Sequence, residues 1–168
     1  RKFRATDGVN LGTITVGSNP EDVAFDGSIV WVANSGSNNV SRIRAIDNLS
    51  LGNIAAGTAP TALAFDGESL WVSNYVSNNV TRIRAVSGAV ISTTAVGTNP
   101  TGVAFDGSNI WIAVQASNVV AKIRVSDGTI LGSFSVGTGP NGLAFDGTNI
   151  WSVNGTSNNV TRLLPAFP

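Results

Sequence analysis

Short apolar runs alternate with polar turn residues along the whole chain, in a pattern that returns every 40 residues. Proline, tryptophan and the tripeptide Phe-Asp-Gly each recur four times at this spacing, without insertion or deletion. The tryptophans, for example, are Trp31, Trp71, Trp111 and Trp151. The 168 residues are therefore four repeat units and a remainder of eight.

Each unit divides into four apolar runs that predict β-strands. In the third unit the runs cover 102–105, 109–114, 119–125 and 130–136, with turn-forming residues between them. They are rich in Val, Ile, Trp, Phe and Thr and alternate partly with a period of two, which is typical of strands. No run has apolar residues at helical spacing, so no helix is predicted. Four strands per unit of about 40 residues predict an all-β protein, a β-propeller with one four-stranded antiparallel blade per unit.

The residues between the runs suit tight turns. Asp-Gly, as at Asp26-Gly27, predicts the turn between the first and second strands, because Gly adopts positive φ without a steric cost. Ser-Asn-Asn, as at 37–39, predicts the next turn, because Asn tolerates the left-handed region. The tryptophan at the start of each second strand is expected to pack between neighbouring blades. An exposed stacking platform for a ligand is the alternative.

The positions of the two chain ends within the repeat define the blade boundaries. Within one domain, 1–168, the predicted blades cover 19–56, 59–96, 99–136 and 139–164. The last blade lacks a fourth strand, and a strand at 9–17 is predicted to complete it in a velcro-type closure that covers the open edge.

Three closures remain open: a four-bladed ring from one chain, an eight-bladed ring from two chains, and a fragment or open assembly. Blades of this size usually form rings of about six to eight, so we favour the homodimer.

The composition excludes several kinds of active site. The chain contains no His and no Cys, so it has no Ser-His-Asp triad, no cysteine nucleophile, no zinc–thiolate site and no disulfide. We therefore predict no catalytic residue, no metal site and no cofactor.

The charge and hydropathy limit the partners. Ten basic and ten acidic residues balance, which argues against a nucleic-acid partner. No apolar stretch approaches the ~18 residues of a membrane helix, so no membrane insertion is predicted. The chain begins with Arg1 and has no signal peptide, as expected of a processed, truncated or engineered sequence.

The basic residues all lie in the column of third strands. Pairs two residues apart, such as Arg42 and Arg44, share one face of a strand. We expect this face to be solvated, with the Arg stems covering apolar surface, while Ile43 points into the blade interface. A basic stripe that binds nucleic acid is the alternative.

Binding residues are expected where the units differ from one another. Glu21 and Asp22 stand where the other units have Thr-Ala, Thr-Gly or Asn-Gly, and the loops after the second strands vary. The candidates on this loop face are Glu21, Asp22, Tyr75, Gln115 and Asn141. The two carboxylates could also form an acid/base pair, but neighbours on an extended segment point apart.

The segment from the second to the third strand carries a family resemblance. It reads WVANSGSNNVSRI, WVSNYVSNNVTRI, WIAVQASNVVAKI and WSVNGTSNNVTRL in the four units. These segments resemble the YVTN-type β-propeller repeats of bacterial and archaeal surface-layer and secreted proteins, and look similar to virginiamycin B lyase-like propellers. The third unit departs from the pattern, with Val114 and Val119 in place of Asn.

The resemblance implies a funnel-shaped ring, often of seven blades, with any site at the axis or on the loops of one face. It also implies an extracellular or bacterial cell-surface location. The lyase-like activity depends on histidine, so it is not carried over to this chain.

The function expected from the sequence is a non-enzymatic β-propeller scaffold that binds protein or glycan and assembles with itself. The alternative is a self-assembling structural unit without a ligand, natural or engineered. A third hypothesis is a lyase or hydrolase that uses Glu21 or Asp22.

Overall fold

The computed structural model describes residues 2–164 and is built almost entirely of β-strands. A short N-terminal pair consists of β1 (Lys2–Phe3) and β2 (Asn10–Gly12). The first blade contains β3 (Pro20–Phe25), β4 (Ile29–Asn34), β5 (Asn39–Arg44) and β6 (Ser50–Ala55). The second contains β7 (Pro60–Phe65), β8 (Ser69–Asn74), β9 (Asn79–Arg84) and β10 (Val90–Ala95).

The same order continues in the second half of the chain. The third blade contains β11 (Pro100–Phe105), β12 (Asn109–Val114), β13 (Val119–Arg124) and β14 (Ile130–Ser135). The fourth contains β15 (Pro140–Phe145), β16 (Ile150–Asn154) and β17 (Asn159–Leu163). A single 3₁₀ turn at Gln115–Ser117 is the one helical element in the described part of the chain, where the sequence predicted none.

Consecutive strands pair antiparallel within each blade, in sequence order. The all-β class and the four-stranded antiparallel blades predicted from the sequence are thereby confirmed. The strands of the first three blades lie within the predicted ranges 19–56, 59–96 and 99–136. No helix between residues 2 and 164 is long and apolar enough to cross a membrane.

The turns follow the residue types that predicted them. Gly67 has a φ of 102° after the first strand of its blade, and Asn78 has a φ of 59° after the second. Asp66 does more than make its turn. One carboxylate oxygen accepts the backbone N–H of Ser69 at 2.6 Å, and the other accepts the indole N–H of Trp71 at 2.7 Å.

The same bond between the turn Asp and the Trp forms in all four units, at 2.6–2.8 Å. In the fourth unit, the bond from Trp151 holds the pKa of the Asp146 carboxyl well below its usual range. Each indole is therefore clamped in its orientation by the turn that precedes its strand.

The hydrophobic core lies between the blades. Trp71 and Val80 pack with Ile110, Ile112 and Ile123 of the next blade. Trp31 and Trp111 make equivalent contacts with their following blades and, like Trp71, are completely buried. The predicted role of the tryptophan between blades is confirmed at these three positions. A bulky ring suits this position because an aromatic side chain buries a large apolar area.

The expectation that the basic face is solvated is wrong for the first residue of the pair in each of the first three blades, namely Arg42, Arg82 and Lys122, whereas Lys2 is exposed as predicted. Trp71 and Arg82 are directly opposite in the ladder, so both point toward the next blade. The Arg82 guanidinium lies 5.0 Å from the centre of the Trp71 ring and donates to the Val125 carbonyl of that blade at 2.7 Å. The second residue of the pair, Arg84, is exposed as predicted. Its counterparts at 42 and 122 also lie over tryptophan rings.

A buried polar cluster explains the recurring Asn pairs of the motif. The Asn74 side-chain amide donates to Asn79 Oδ1 at 2.8 Å and to Thr81 Oγ1 at 2.9 Å. The first and fourth units contain the same cluster, with Ser41 or Thr161 as the hydroxyl member. The third unit has apolar residues at all three positions, namely Val114, Val119 and Ala121. The cluster is therefore replaced as a set, which leaves no buried polar atom without a partner there.

The ends of the chain do not close a ring on themselves. The strand predicted at 9–17 is shorter, Asn10–Gly12, and it pairs with β1. Within residues 2–164, β15, β16 and β17 form a three-stranded sheet, and no strand pairs with the outer edge of β17. The predicted completion of the last blade by the N-terminal strand is thus not made inside one chain, and completion by a second chain stays a prediction.

Candidate functional site

The five residues singled out in the sequence surround one recess of about 510 Å³. The recess lies where the innermost strands of the blades, β3, β7, β11 and β15, begin, and residues from all four blades line it. Its side chains include Glu21, Asp22, Tyr75, Gln115 and Asn141. The structure therefore brings together positions that are up to 120 residues apart in the sequence.

Hydrogen bonds between two kinds of loop place these side chains at the same end of the blades. The N–H of Tyr75, just after β8, donates to the carbonyl of Ala59, just before β7, at 2.9 Å. Gln115 makes the equivalent bond to Asn99 at 3.0 Å in the third blade. The loop after each second strand is thus held beside the start of the innermost strand, and both loops contribute to the rim of the recess.

Tyr75 and Gln115 connect neighbouring blades across this rim. They occupy equivalent positions 40 residues apart, and the Tyr75 hydroxyl donates to Gln115 Oε1 at 3.2 Å. Both side chains are half-buried. A phenol ring and a side-chain amide on one wall suit a ligand that offers hydroxyl groups and a flat apolar face.

The two carboxylates of the recess have separate structural partners. Asp22 accepts the N–H of Val23 with one oxygen and the N–H of Leu63, in the next blade, with the other, both at 2.8 Å. Glu21 accepts the hydroxyl of Ser35 at 3.0 Å. They point apart, as expected of neighbours on an extended strand, and Asp22 joins the first blade to the second.

One wall of the recess is formed by closely packed backbone, a feature that the sequence analysis missed. A Cβ atom on Gly102 would lie 2.5 Å from the Asn141 carbonyl and 3.0 Å from the Gly142 Cα. The buried Thr101 hydroxyl is 3.2 Å from the Pro140 carbonyl. Any side chain at 102 would push the innermost strands of the third and fourth blades apart. The signal in the sequence was Gly inside a strand, which often marks such a close approach.

Charge is sparse in and around the recess. Of the residues that the structure describes, Glu21 and Asp22 are the only charged ones that line it. Within residues 2–164, no three acidic side chains converge in a way that could hold a metal ion.

A larger cavity, of about 880 Å³, opens at the turns between the first and second strands of the second and third blades. Two of its charged side chains serve contacts already described, since Asp106 bonds to Trp111 and Arg82 to Val125.

No known protein family matches the chain, and no curated protein sequence does so either. Solved structures do resemble it. The hydrazine synthase of Kuenenia stuttgartiensis has a TM-score of 0.75 and 22% identity, over 94% of this chain and 53% of its own. An inactive virginiamycin B lyase of Staphylococcus aureus has a TM-score of 0.74 and 22% identity, over 89% of this chain and 53% of its own.

The computationally designed Ika4 protein has a TM-score of 0.80 at 14% identity, over 94% of this chain and 98% of its own. The chain thus spans about half the length of the natural proteins just named and nearly all of the designed one. Identities this low carry the fold alone. Together with the four-stranded sheets, these similarities show that the chain has a β-propeller fold and forms a partial propeller.

Proposed function

We propose that this chain is a self-assembling, non-enzymatic β-propeller scaffold in which two copies close an eight-bladed ring. One observation carries the proposal. The two terminal blades expose apolar faces built from the same repeat positions that pack together between blades inside the chain. We call the face toward the following blade the trailing face, and the face toward the preceding blade the leading face.

The trailing face of the fourth blade, formed by Trp151, Val153 and Val160, is exposed. Trp151 is 36% exposed and Val160 is 58% exposed. Their equivalents in the second blade, Trp71 and Val80, are 0% and 1% exposed. The difference arises because the fourth blade has no following blade in the chain. A tryptophan and two valines side by side on a sheet surface are typical of an interface.

The leading face of the first blade, which includes Val23, Phe25 and Val30, is the complementary surface. Val23 is 62% exposed and Phe25 is 56% exposed. The equivalent of Val23 in the second blade, Leu63, is buried against the trailing face of the first blade. A second copy would place its leading face on the trailing face of the first copy, as happens three times within the chain.

Two copies can bury both terminal apolar faces, whereas one copy cannot. A single chain leaves both faces open, whereas two chains joined head to tail bury both faces of each copy if the rotation closes. Eight blades lie within the usual range of propellers. The chain covers about half of the natural propeller-like proteins that it resembles, which supports a ring made of two such chains.

The scaffold is proposed to act without catalysis, outside the cell or at a bacterial cell surface. The partners of Glu21 and Asp22 favour structural roles for both carboxylates over an acid/base pair. The location follows from the resemblance to YVTN-type repeats of surface-layer and secreted proteins.

The ring is tested by native mass spectrometry and light scattering at about 10 μM chain, a concentration that populates a complex with micromolar affinity. We expect one species at twice the 17.2 kDa chain mass. Val160→Asp is expected to yield a monomer, because it buries an unpaired carboxylate in the trailing interface. Val86→Asp is the control, because Val86 is 95% exposed in a turn.

Two results would overturn this proposal. A monomeric wild-type chain would mean that the exposed faces do not join. A ladder of larger species would mean that they join without closing a ring.

A second function, recognition of a glycan at the recess, is favoured by the convergence of the five predicted residues. Tyr75 offers a ring for stacking, and Gln115 and Asn141 offer amide groups to hydroxyls. We expect a neutral oligosaccharide identified on a glycan array to bind at least tenfold more weakly to Tyr75→Ala in calorimetric titration. Val76→Ala, which changes an exposed neighbour outside the recess, should bind like wild type. Equal affinity of the two variants would refute the site.

A further inference from the structure

The N-terminal pair of strands has the geometry of the outer part of a blade. Phe3 pairs with Asn10 and Lys2 with Gly12. The residues two units further along the chain form the equivalent pairs in the second blade, namely Ile83–Val90 and Arg82–Ser92. β1 therefore corresponds to the end of a third strand, and β2 to a fourth strand, in a blade whose inner strands the chain does not supply at this end.

This pair also lies where the outer part of a preceding blade belongs. The Ser35 N–H donates to the Asn19 carbonyl at 2.9 Å, just as Tyr75 donates to Ala59 in the next blade. Lys2 Nζ donates to Asn48 Oδ1 at 3.3 Å, in the turn of the first blade. Its counterpart Arg42 lies beside the equivalent turn of the second blade, at Gly88. β2 thus leads into the first blade as β6 leads into the second.

Among residues 2–164, the fourth blade lacks a fourth strand, which is the kind of strand that β2 represents. The pairing of β9 with β10 predicts how β17 would pair with β2, because β17 lies two units after β9 and β2 lies two units before β10. By this equivalence Asn159 would pair with Thr15 and Leu163 with Asn10. Arg162 would then pair with Gly12. Within one chain, however, Asn10 already pairs with Phe3 and Gly12 with Lys2. β1 and a β17 strand therefore compete for the same edge of β2.

The β1–β2 pair is the weaker of the two pairings. It has two paired positions, and every residue in both strands is exposed. The equivalent pair β9–β10 has five paired positions. In addition, the buried Asn34 Oδ1 has no hydrogen-bond partner, although its counterpart on Asn74 accepts the Gly57 N–H at 3.1 Å. Gly17 already lies beside Asn34 as Gly57 lies beside Asn74, so a strand extended to Val16 would only have to turn the Gly17 N–H toward Asn34 Oδ1.

We propose that β17 of a second copy displaces β1 and pairs with β2 from Thr15 to Asn10, so that β1 is a placeholder that competes with assembly. The inference rests on the two-chain ring proposed above. It adds the register of the exchanged strand and a role for the first residues of the chain: they cover the edge of β2 until a second copy arrives.

A cysteine pair tests the register, since the chain has no cysteine of its own. Thr13 and Thr161 are directly opposite in the proposed pairing. We expect Thr13→Cys with Thr161→Cys to form a disulfide between chains, seen on a non-reducing gel at twice the chain mass. The control, Thr13→Cys with Val160→Cys, points the two thiols to opposite faces and should cross-link at least tenfold more slowly.

Deletion of residues 1–4 tests the competition. Without β1, the dissociation constant of the dimer is expected to fall about tenfold, because no intramolecular strand has to leave β2. Deletion of residues 1–16 removes β2 as well and should weaken the dimer instead.

A dimer that shows no Thr13–Thr161 cross-link, or that is unaffected by removal of residues 1–4, overturns the strand exchange while the ring proposal stands. A cross-link within one chain overturns both, since it would mean that a single copy closes on itself. A chain that stays monomeric in every form also overturns both.

Discussion

Trp71→Ala is expected to lower the free energy of unfolding by about 3–5 kcal/mol, the usual cost of truncating a fully buried aromatic residue. The side chain is completely buried between the second and third blades and packs with Ile110 and Ile112. Its removal also leaves the Asp66 carboxylate without the indole N–H and the Arg82 guanidinium without a ring beneath it. The cavity, the lost hydrogen bond and the lost cation–π contact all act in the same direction.

Trp151→Ala is the matched control, because it removes the same residue from the same repeat position. Trp151 keeps the bond to its turn carboxylate but has no following blade. At concentrations where the chain is monomeric, this variant should cost about 1 kcal/mol, as expected for a partly exposed site. Urea unfolding followed by circular dichroism measures both variants. Equal costs at the two positions would contradict the assignment of the fourth blade as a terminal one.

Asn74→Val is expected to destabilise the chain by about 2–4 kcal/mol, because it leaves buried and half-buried polar groups without a partner. The groups affected are Asn79 Oδ1, Thr81 Oγ1 and the Gly57 N–H. Replacing a buried hydrogen-bonded set by apolar residues is far less harmful than removing one member of it. The third unit is a natural example of such a replacement.

The triple variant Asn74→Val, Asn79→Val, Thr81→Ala copies the third unit into the second. We expect it to recover at least half of the stability that Asn74→Val loses. The reverse change, Val114→Asn, should destabilise the third blade, because Val119 and Ala121 offer its amide no side-chain partner. A complete set of single, double and triple variants in urea measures the coupling. Additive losses in the triple variant would refute the account of the cluster.

The strands and their turns could be predicted from the sequence because each depends on nearby residues. The positive φ of Gly67 and Asn78 lies at the Asp-Gly and Ser-Asn-Asn positions that predicted it. The five residues at which the repeat units differ line one recess, and their binding role stays a prediction. Their contacts could not be predicted from the sequence, because Asp22 accepts an N–H from a strand 41 residues further along.

The burial of the basic residues could not be read from the strand pattern. Alternation places Arg82 and Arg84 on one face of β9, but the pattern does not say that a neighbouring blade covers the inner half of that face. A long side chain with an apolar stem fits there over an aromatic ring. The Gly102 contact was hidden for the same reason, since its neighbour comes from another blade.

By itself, the sequence determined the repeat, the number of blades, the strands within each blade and the turns that join them. These follow from periodicity and from backbone preferences that act over a few residues. Only the tertiary structure decided which faces stay exposed, which side chains meet across blades and which edge β2 covers. The first two outcomes depend on contacts between residues of different blades, about 40 or more positions apart, and the third depends on an edge of β2 for which β1 and β17 compete. The order of residues along the chain does not determine which of these two edges pairs with β2. The position of the two edges in the folded structure determines it.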